Sequence, residues 1–180
     1  VDAPHTTTGL TPLMTAVETP GAHRLLTTLV TAKADLNVGR GERTPLLAAL
    51  IAKDADWVTA LVAARADLDT AGRVDGEPAS ALHQCVVYNF VPGMQAVLEA
   101  KAEVDRVSGA DAMTPLMLAA LMNREECIVP LLAADASITA TAAIGHSAHQ
   151  IAAAAGNTNI ETTLITMRTH GVMHHVDPCR

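Results

Sequence analysis

The tripeptide Thr-Pro-Leu opens at Thr11, Thr44 and Thr114, and weaker forms of it, Ser80-Ala81-Leu82 and Ser147-Ala148-His149, fill the remaining intervals. Counted from the first residue of each word, the spacings are 33, 36, 34 and 33 residues. A period this regular means that one supersecondary unit is repeated, each too thin to hide its own apolar face, so that neighbours must cover one another. The word itself reads as a helix start. A Thr or Ser hydroxyl accepts a hydrogen bond from the N–H groups of the first turn, and proline suits the first helical position because its missing N–H would be unpaired there anyway.

The same grammar follows each word. A short Ala- and Leu-rich helix comes first, as in Leu46 to Ala52 and Leu116 to Met122; after a polar break, a second helix carries paired apolar residues. These pairs are Leu25 and Leu26 with Leu29 and Val30, Trp57 and Val58 with Leu61 and Val62, then Val97-Leu98, Leu131-Leu132 and Leu164-Ile165. Spacing of three and four residues sets such positions on one stripe facing the neighbouring unit. The endings Lys33 to Asn37, Arg65 to Asp69, Lys101 to Asp105 and Asp135 to Thr139 close four of the units, and polar segments with glycines (Gly39, Gly41, Gly72, Gly76, Gly109) read as protruding turns.

On this word, this period and these endings the chain resembles the ankyrin repeat family over roughly residues 1–171. The resemblance implies an all-α solenoid of stacked helix-turn-helix units with protruding hairpin loops. Five units open near residues 11, 44, 80, 114 and 147, residues 1–10 are the end of a preceding unit or a cap, and 172–180 form a tail. Further repeats or domains are expected N-terminally in the same polypeptide, because Val1-Asp2-Ala3 reads as the close of another unit. Polar Thr162, Thr163, Thr166 and Arg168 on the last helix suit a terminal unit with one wet face.

Three departures from the pattern carry expectations of their own. Lys33, Arg65, Lys101 and Asp135 stand where the family has glycine after helix two, so each is expected in a left-handed backbone at a cost of about 1 kcal/mol. The longest interval places its surplus in Asp69 to Ala79, read as a lengthened hairpin finger. Pro130 is either interior to a second helix, freeing the carbonyl of Glu126, or a first-turn residue of a helix that starts later.

Aromatic residues make up 2 % of the chain, so Ala, Leu and Val must do the packing, which suits thin layers. The formal net charge of -7 argues against nucleic acid as a partner, whose affinity comes largely from Lys and Arg neutralising phosphates. No apolar run reaches the roughly 20 residues that cross a bilayer, so no direct membrane insertion is expected. Three cysteines without a close pair point to a reducing, cytoplasmic setting.

No phosphate loop, His-Glu-x-x-His or Gly-x-Ser-x-Gly motif is present, and no catalysis and no cofactor are expected. The cluster His170, His174, His175, Asp177 and Cys179 holds possible metal ligands, but adjacent histidines at a chain end read as a solvated tail, so no metal site is expected. His83, at the family's histidine position, is implied to make a structural hydrogen bond between units. Cys85, Cys127 and Trp57 read as core residues. Leu29, Asp35, Leu36 and Asn37 match the pattern at which ankyrin units are hydroxylated on asparagine, although support of the hairpin is the simpler role for Asn37.

The family's contact positions are the finger tips and the exposed face of helix one. Carried onto this sequence they give an apolar strip of Ile51, Val87, Tyr88, Met113, Leu121 and Met122, rimmed by Arg40, Arg43, Glu77 and Asp111. An apolar centre with a polar border is how protein-binding surfaces are built. The expected function is therefore a non-catalytic protein-protein interaction module, a scaffold or adaptor, that holds a partner protein or peptide on its concave helix-one and finger surface. Alternatives at this point are a regulatory or targeting domain of a larger enzyme, kinase, transferase or channel, and a strip hidden by its neighbours.

Overall fold

The computed structural model describes residues 2–5, 9–19, 21–39, 43–69, 71–74 and 77–171. Arg40, Gly41, Gly76 and the tail 172–180 lie outside the described residues, as does Val1. Among the described residues, five helix pairs follow one another: α1 (Pro12–Val17) with α2 (Leu25–Thr31), α3 (Pro45–Ala52) with α4 (Ala55–Ala63), α5 (Ala81–Val87) with α6 (Val91–Glu99), α7 (Pro115–Leu121) with α8 (Glu125–Ala133), and α9 (Ala148–Ala154) with α10 (Thr158–Gly171). A short 3-10 turn at Ala22–Arg24 leads into α2. Strands β1 (Gly72–Val74) and β2 (Glu77–Ala79) pair antiparallel, Gly72 opposite Ala79 and Arg73 opposite Pro78, so the longest interval does form a hairpin finger.

The helix-start word works as its chemistry demands in three places. The Thr11, Thr44 and Thr114 side chains accept from the N–H of Met14, Leu47 and Met117 at 3.2, 3.2 and 3.3 Å. Ser147 sits in a capping box in which its own N–H donates to Gln150 Oε1 at 2.9 Å. Ser80 departs from the expectation: its hydroxyl makes no cap bond and turns instead to His83.

Packing runs from one hairpin to the next. The first helices touch in series, α1 on α3, α3 on α5, α5 on α7 and α7 on α9; the second helices do likewise, α4 on α6, α6 on α8 and α8 on α10. Leu61, Val97, Leu131 and Leu164, equivalent along the repeat, are all buried. Their apolar neighbours are not: Ile165 is exposed, while Val62, Leu98 and Leu132 are half-buried, so one residue of each pair faces the joint and the other its margin; in the first hairpin Leu29 is half-buried and Val30 exposed. Trp57, Cys85 and Cys127 are fully buried in the core. Burial also pushes the Cys127 thiol up to about 11 and the Cys85 thiol higher still, which keeps both protonated and unreactive near neutrality.

Backbone conformation repeats as strictly as the words do. After the second helices, Lys33, Arg65, Lys101 and Asp135 take φ of 59, 68, 64 and 64°, the left-handed region expected of them. After the first helices, Lys53, Asn89, Asn123 and Gly156 do the same. A side chain in that region costs roughly 1–2 kcal/mol, which glycine avoids at some cost in unfolded-state entropy.

Pro130 is interior to α8, the sixth of its nine residues, which removes the reading in which the helix starts later. The acidic pair Glu125-Glu126 and the Cys127 N–H bond to the Arg124 carbonyl at 3.0 Å hold the helix start where it is, upstream of the proline.

Two substitutions check this account in urea denaturation. Lys101→Gly is expected to raise the unfolding free energy by about 0.5–1 kcal/mol. Pro130→Ala, by restoring an N–H to face the Glu126 carbonyl, is expected to raise it by about 2 kcal/mol.

Candidate functional site

The finger between α6 and α7 closes on itself through an antiparallel bridge: Ser108 N–H donates to the Met113 carbonyl at 2.9 Å, and Met113 N–H to the Ser108 carbonyl at 3.0 Å. The turn needs two left-handed residues, Gly109 at φ 77° and Ala112 at φ 50°. Ser108 Oγ donates to the Pro78 carbonyl at 2.9 Å, which ties this finger to β2 of the preceding one. Between the two fingers and α7 lies a recess of about 220 Å³, with Met113, Leu118 and Leu121 on its apolar side and Glu77 and Asp111 exposed at its margin.

His83 lines the inner end of this recess and links two hairpins. A carbonyl can only accept, so His83 Nε2 carries the proton and donates to the Met113 carbonyl at 3.0 Å; Nδ1 then accepts from the Ser80 hydroxyl at 2.8 Å. Burial holds the ring's pKa below its ordinary 6.5, with the Arg106 guanidinium pushing the same way against the opposing Met113 bond. A serine hydroxyl bonded to an imidazole resembles half of a nucleophile pair, yet both residues are buried and Nε2 is committed to a backbone carbonyl. The structural bond implied for His83 is the bond observed. Ser147 Oγ similarly meets His149 Nδ1 at 2.8 Å. Among the described residues, no three His, Cys, Asp or Glu side chains come together as a metal site.

The ten residues anticipated from sequence divide among several environments. Glu77, Asp111, Met113 and Leu121 share the recess. Ile51 and Leu121 are 40 % and 44 % exposed. Val87, Tyr88, Met113 and Met122 are half-buried and pack against the core, so the uninterrupted exposed strip does not form. Arg43 pairs with Glu18 of the preceding hairpin at 3.3 Å, and Arg40 lies outside the described residues.

Residues that the word pattern did not single out also shape this surface. Leu118 and Ser108 belong to the recess. Arg124 Nη2 donates to the Val87 carbonyl at 3.1 Å, and Asn157 Nδ2 to the Ala120 carbonyl at 2.7 Å. Each reaches from the turn after one first helix to the open carbonyl end of the first helix before it. Their sequence signal is a polar residue directly after a left-handed one, Asn123-Arg124 and Gly156-Asn157. Asn37 supports the hairpins: its N–H donates to Asp35 Oδ1 at 2.8 Å and its Oδ1 accepts from the Asp67 N–H at 2.8 Å.

His83 gives the fold a signed pH dependence. Because its folded pKa lies below the unfolded 6.5, the unfolded chain takes up the proton first, and the contribution is complete above about pH 6.5 and lost as pH falls toward the folded pKa. Urea midpoints measured between about pH 7.5 and pH 5 are expected to fall less steeply with acid in His83→Gln than in the parent chain.

Residues 111–143 match the family model described as Ankyrin repeat. No curated protein gives a match. The matched stretch contains α7 and α8, and ankyrin repeats are in general non-catalytic protein-protein interaction modules that bind other proteins. Among the described residues, no helix is long and apolar enough to cross a membrane.

Proposed function

We propose that all five helix pairs are ankyrin-type layers of one solenoid spanning residues 1–171, and that this solenoid is a scaffold or adaptor. It binds a helix or an extended peptide of another protein on the surface formed by the first helices and the fingers. The observation that carries the reading is the recess between the fingers, where Met113, Leu118 and Leu121 offer apolar contact and Glu77 and Asp111 border it. Exposed Ile51 on α3 offers a separate apolar contact in an earlier hairpin. Half-buried Tyr88, Val87 and Met122 still present an edge to a ligand, and Met side chains adapt to irregular partners.

Desolvating a pocket of this size around one or two apolar anchors is how such interfaces concentrate their affinity. Partner capture from lysate followed by mass spectrometry tests the assignment. Leu121→Glu, which places a charge at the recess mouth without touching the buried core, is expected to lower capture of a specific partner by about tenfold or more while circular dichroism stays unchanged. Undiminished capture by a folded Leu121→Glu, Ile51→Ser double variant rejects this surface.

A further inference from the structure

An open groove of about 440 Å³ runs along the N-terminal side of the first hairpin, between Pro12, Thr15 and Ala16 on α1 and Leu25 and Leu29 on α2. Among the described residues, its lining contains no carboxylate, lysine or arginine. The same positions recur in every later hairpin. Leu25 corresponds to Trp57, Gly93, Cys127 and Ile160, and Leu29 to Leu61, Val97, Leu131 and Leu164.

Exposure separates the first hairpin from the others. Leu25 is 52 % exposed, whereas Trp57 and Cys127 are 0 % and Ile160 is 1 % exposed. Pro12 and Thr15 are exposed, yet the residues in their places (Pro45 and Ala48, Ala81 and Gln84, Pro115 and Leu118, Ala148 and Ile151) are all buried. What covers the later positions is the preceding hairpin; a Cβ added at Gly93 would stand 3.2 Å from Leu50 Cδ2 of α3. The groove is thus the same face that forms every joint in the molecule, without the hairpin that covers it elsewhere.

The backbone around Asp2 points to the same occupant. Asn37 Oδ1 accepts from the Asp67 N–H at 2.8 Å, and Asp105 Oδ1 from the Ser137 N–H at 2.9 Å; each is the closing residue of one unit bonded to the ending of the next. Asp2 Oδ1 accepts from the Asp35 N–H at 3.0 Å in the same relation. Asp2 therefore does the work of a unit's closing residue. The opposite end is built differently: the Thr162, Thr163 and Thr166 hydroxyls on α10 donate to carbonyls of their own helix at 2.8, 2.9 and 2.8 Å, so that face is polar and internally satisfied.

We propose that the groove on α1 and α2 is the docking face of one more helical hairpin of the same build, supplied by polypeptide on the N-terminal side of Asp2 in the same chain. A head-to-tail second copy is a poorer occupant, because it would set the threonines of α10 against Leu25 and Leu29.

A grafted hairpin tests the fit. A second copy of Thr44–Leu68 joined directly ahead of Asp2 reproduces the natural junction, since Asp69 follows Leu68 in the chain. Amide exchange in α1 and α2 is expected to slow by about tenfold or more in the extended protein. Leu25→Glu is expected to abolish that slowing yet leave exchange in the 180-residue chain within about twofold, because Leu25 is open there and a first-turn acid suits the helix. Exchange that is unchanged by the graft, or slowed equally when the graft carries the Leu25→Glu substitution, overturns the proposal. So does a dimer of the 180-residue chain that Leu25→Glu dissociates while the graft gives no slowing. In the native transcript the codons upstream of Val1 are expected to encode an Ala- and Leu-rich hairpin, and a start codon or an unrelated hydrophilic segment there also overturns it.

Discussion

Ala16, Ala49, Cys85, Ala119 and Ala152 hold one position in the five first helices, and every one of them is buried where neighbouring hairpins meet. On these small side chains the rest of the structure depends. Without bulk between them, successive helices approach closely enough that leucines and valines of the second helices can fill the joint from the other side. A short two-helix unit cannot bury such a face against itself, and most of its helical stability must come from packing. The hairpins are therefore stable together in a way that none is alone.

Polar chemistry keeps the joints in register. Backbone groups exposed at helix ends and fingers are taken up by side chains from the next hairpin or the one before: His83 on the Met113 carbonyl, Arg124 on the Val87 carbonyl, Asn157 on the Ala120 carbonyl. Each bond links residues a unit apart, so a slip in stacking would leave buried polar groups unpaired, which is costlier than the bonds are stabilising. The surface ion pairs Arg43–Glu18 and Arg106–Asp69 add little beside this.

The fingers and the joints serve different ends. Along the joints, covered positions are mostly apolar, with Gln84 the polar exception among those compared above; at the fingers, sequence and length vary, as in the β1–β2 hairpin and the Ser108–Met113 turn. Variation is tolerated there because loops carry little of the packing, and for the same reason recognition surfaces form on them. The recess bordered by Glu77 and Asp111 arises where two such fingers are held side by side by the Ser108–Pro78 bond.

Much of this was legible in the amino acids. The Thr-Pro-Leu words specified helix starts because capping is local chemistry, and the endings at Lys33, Arg65, Lys101 and Asp135 specified left-handed turns because a helix must reverse there whatever its neighbours are. His83 could be assigned its bond, but Ser80 could not be told from a cap, since its hydroxyl had two partners within reach and only the placed imidazole decided between them. By sequence Pro130 suits either an interior or a first-turn place, and the start of α8 at Glu125 makes it interior. What tertiary structure alone decided was exposure. Residues at equal offsets from their words, such as Ile51 and Val87, or at equal places along the second helices, such as Leu25 and Trp57, differ in burial, because accessibility belongs to the neighbouring hairpin and not to the residue that it covers.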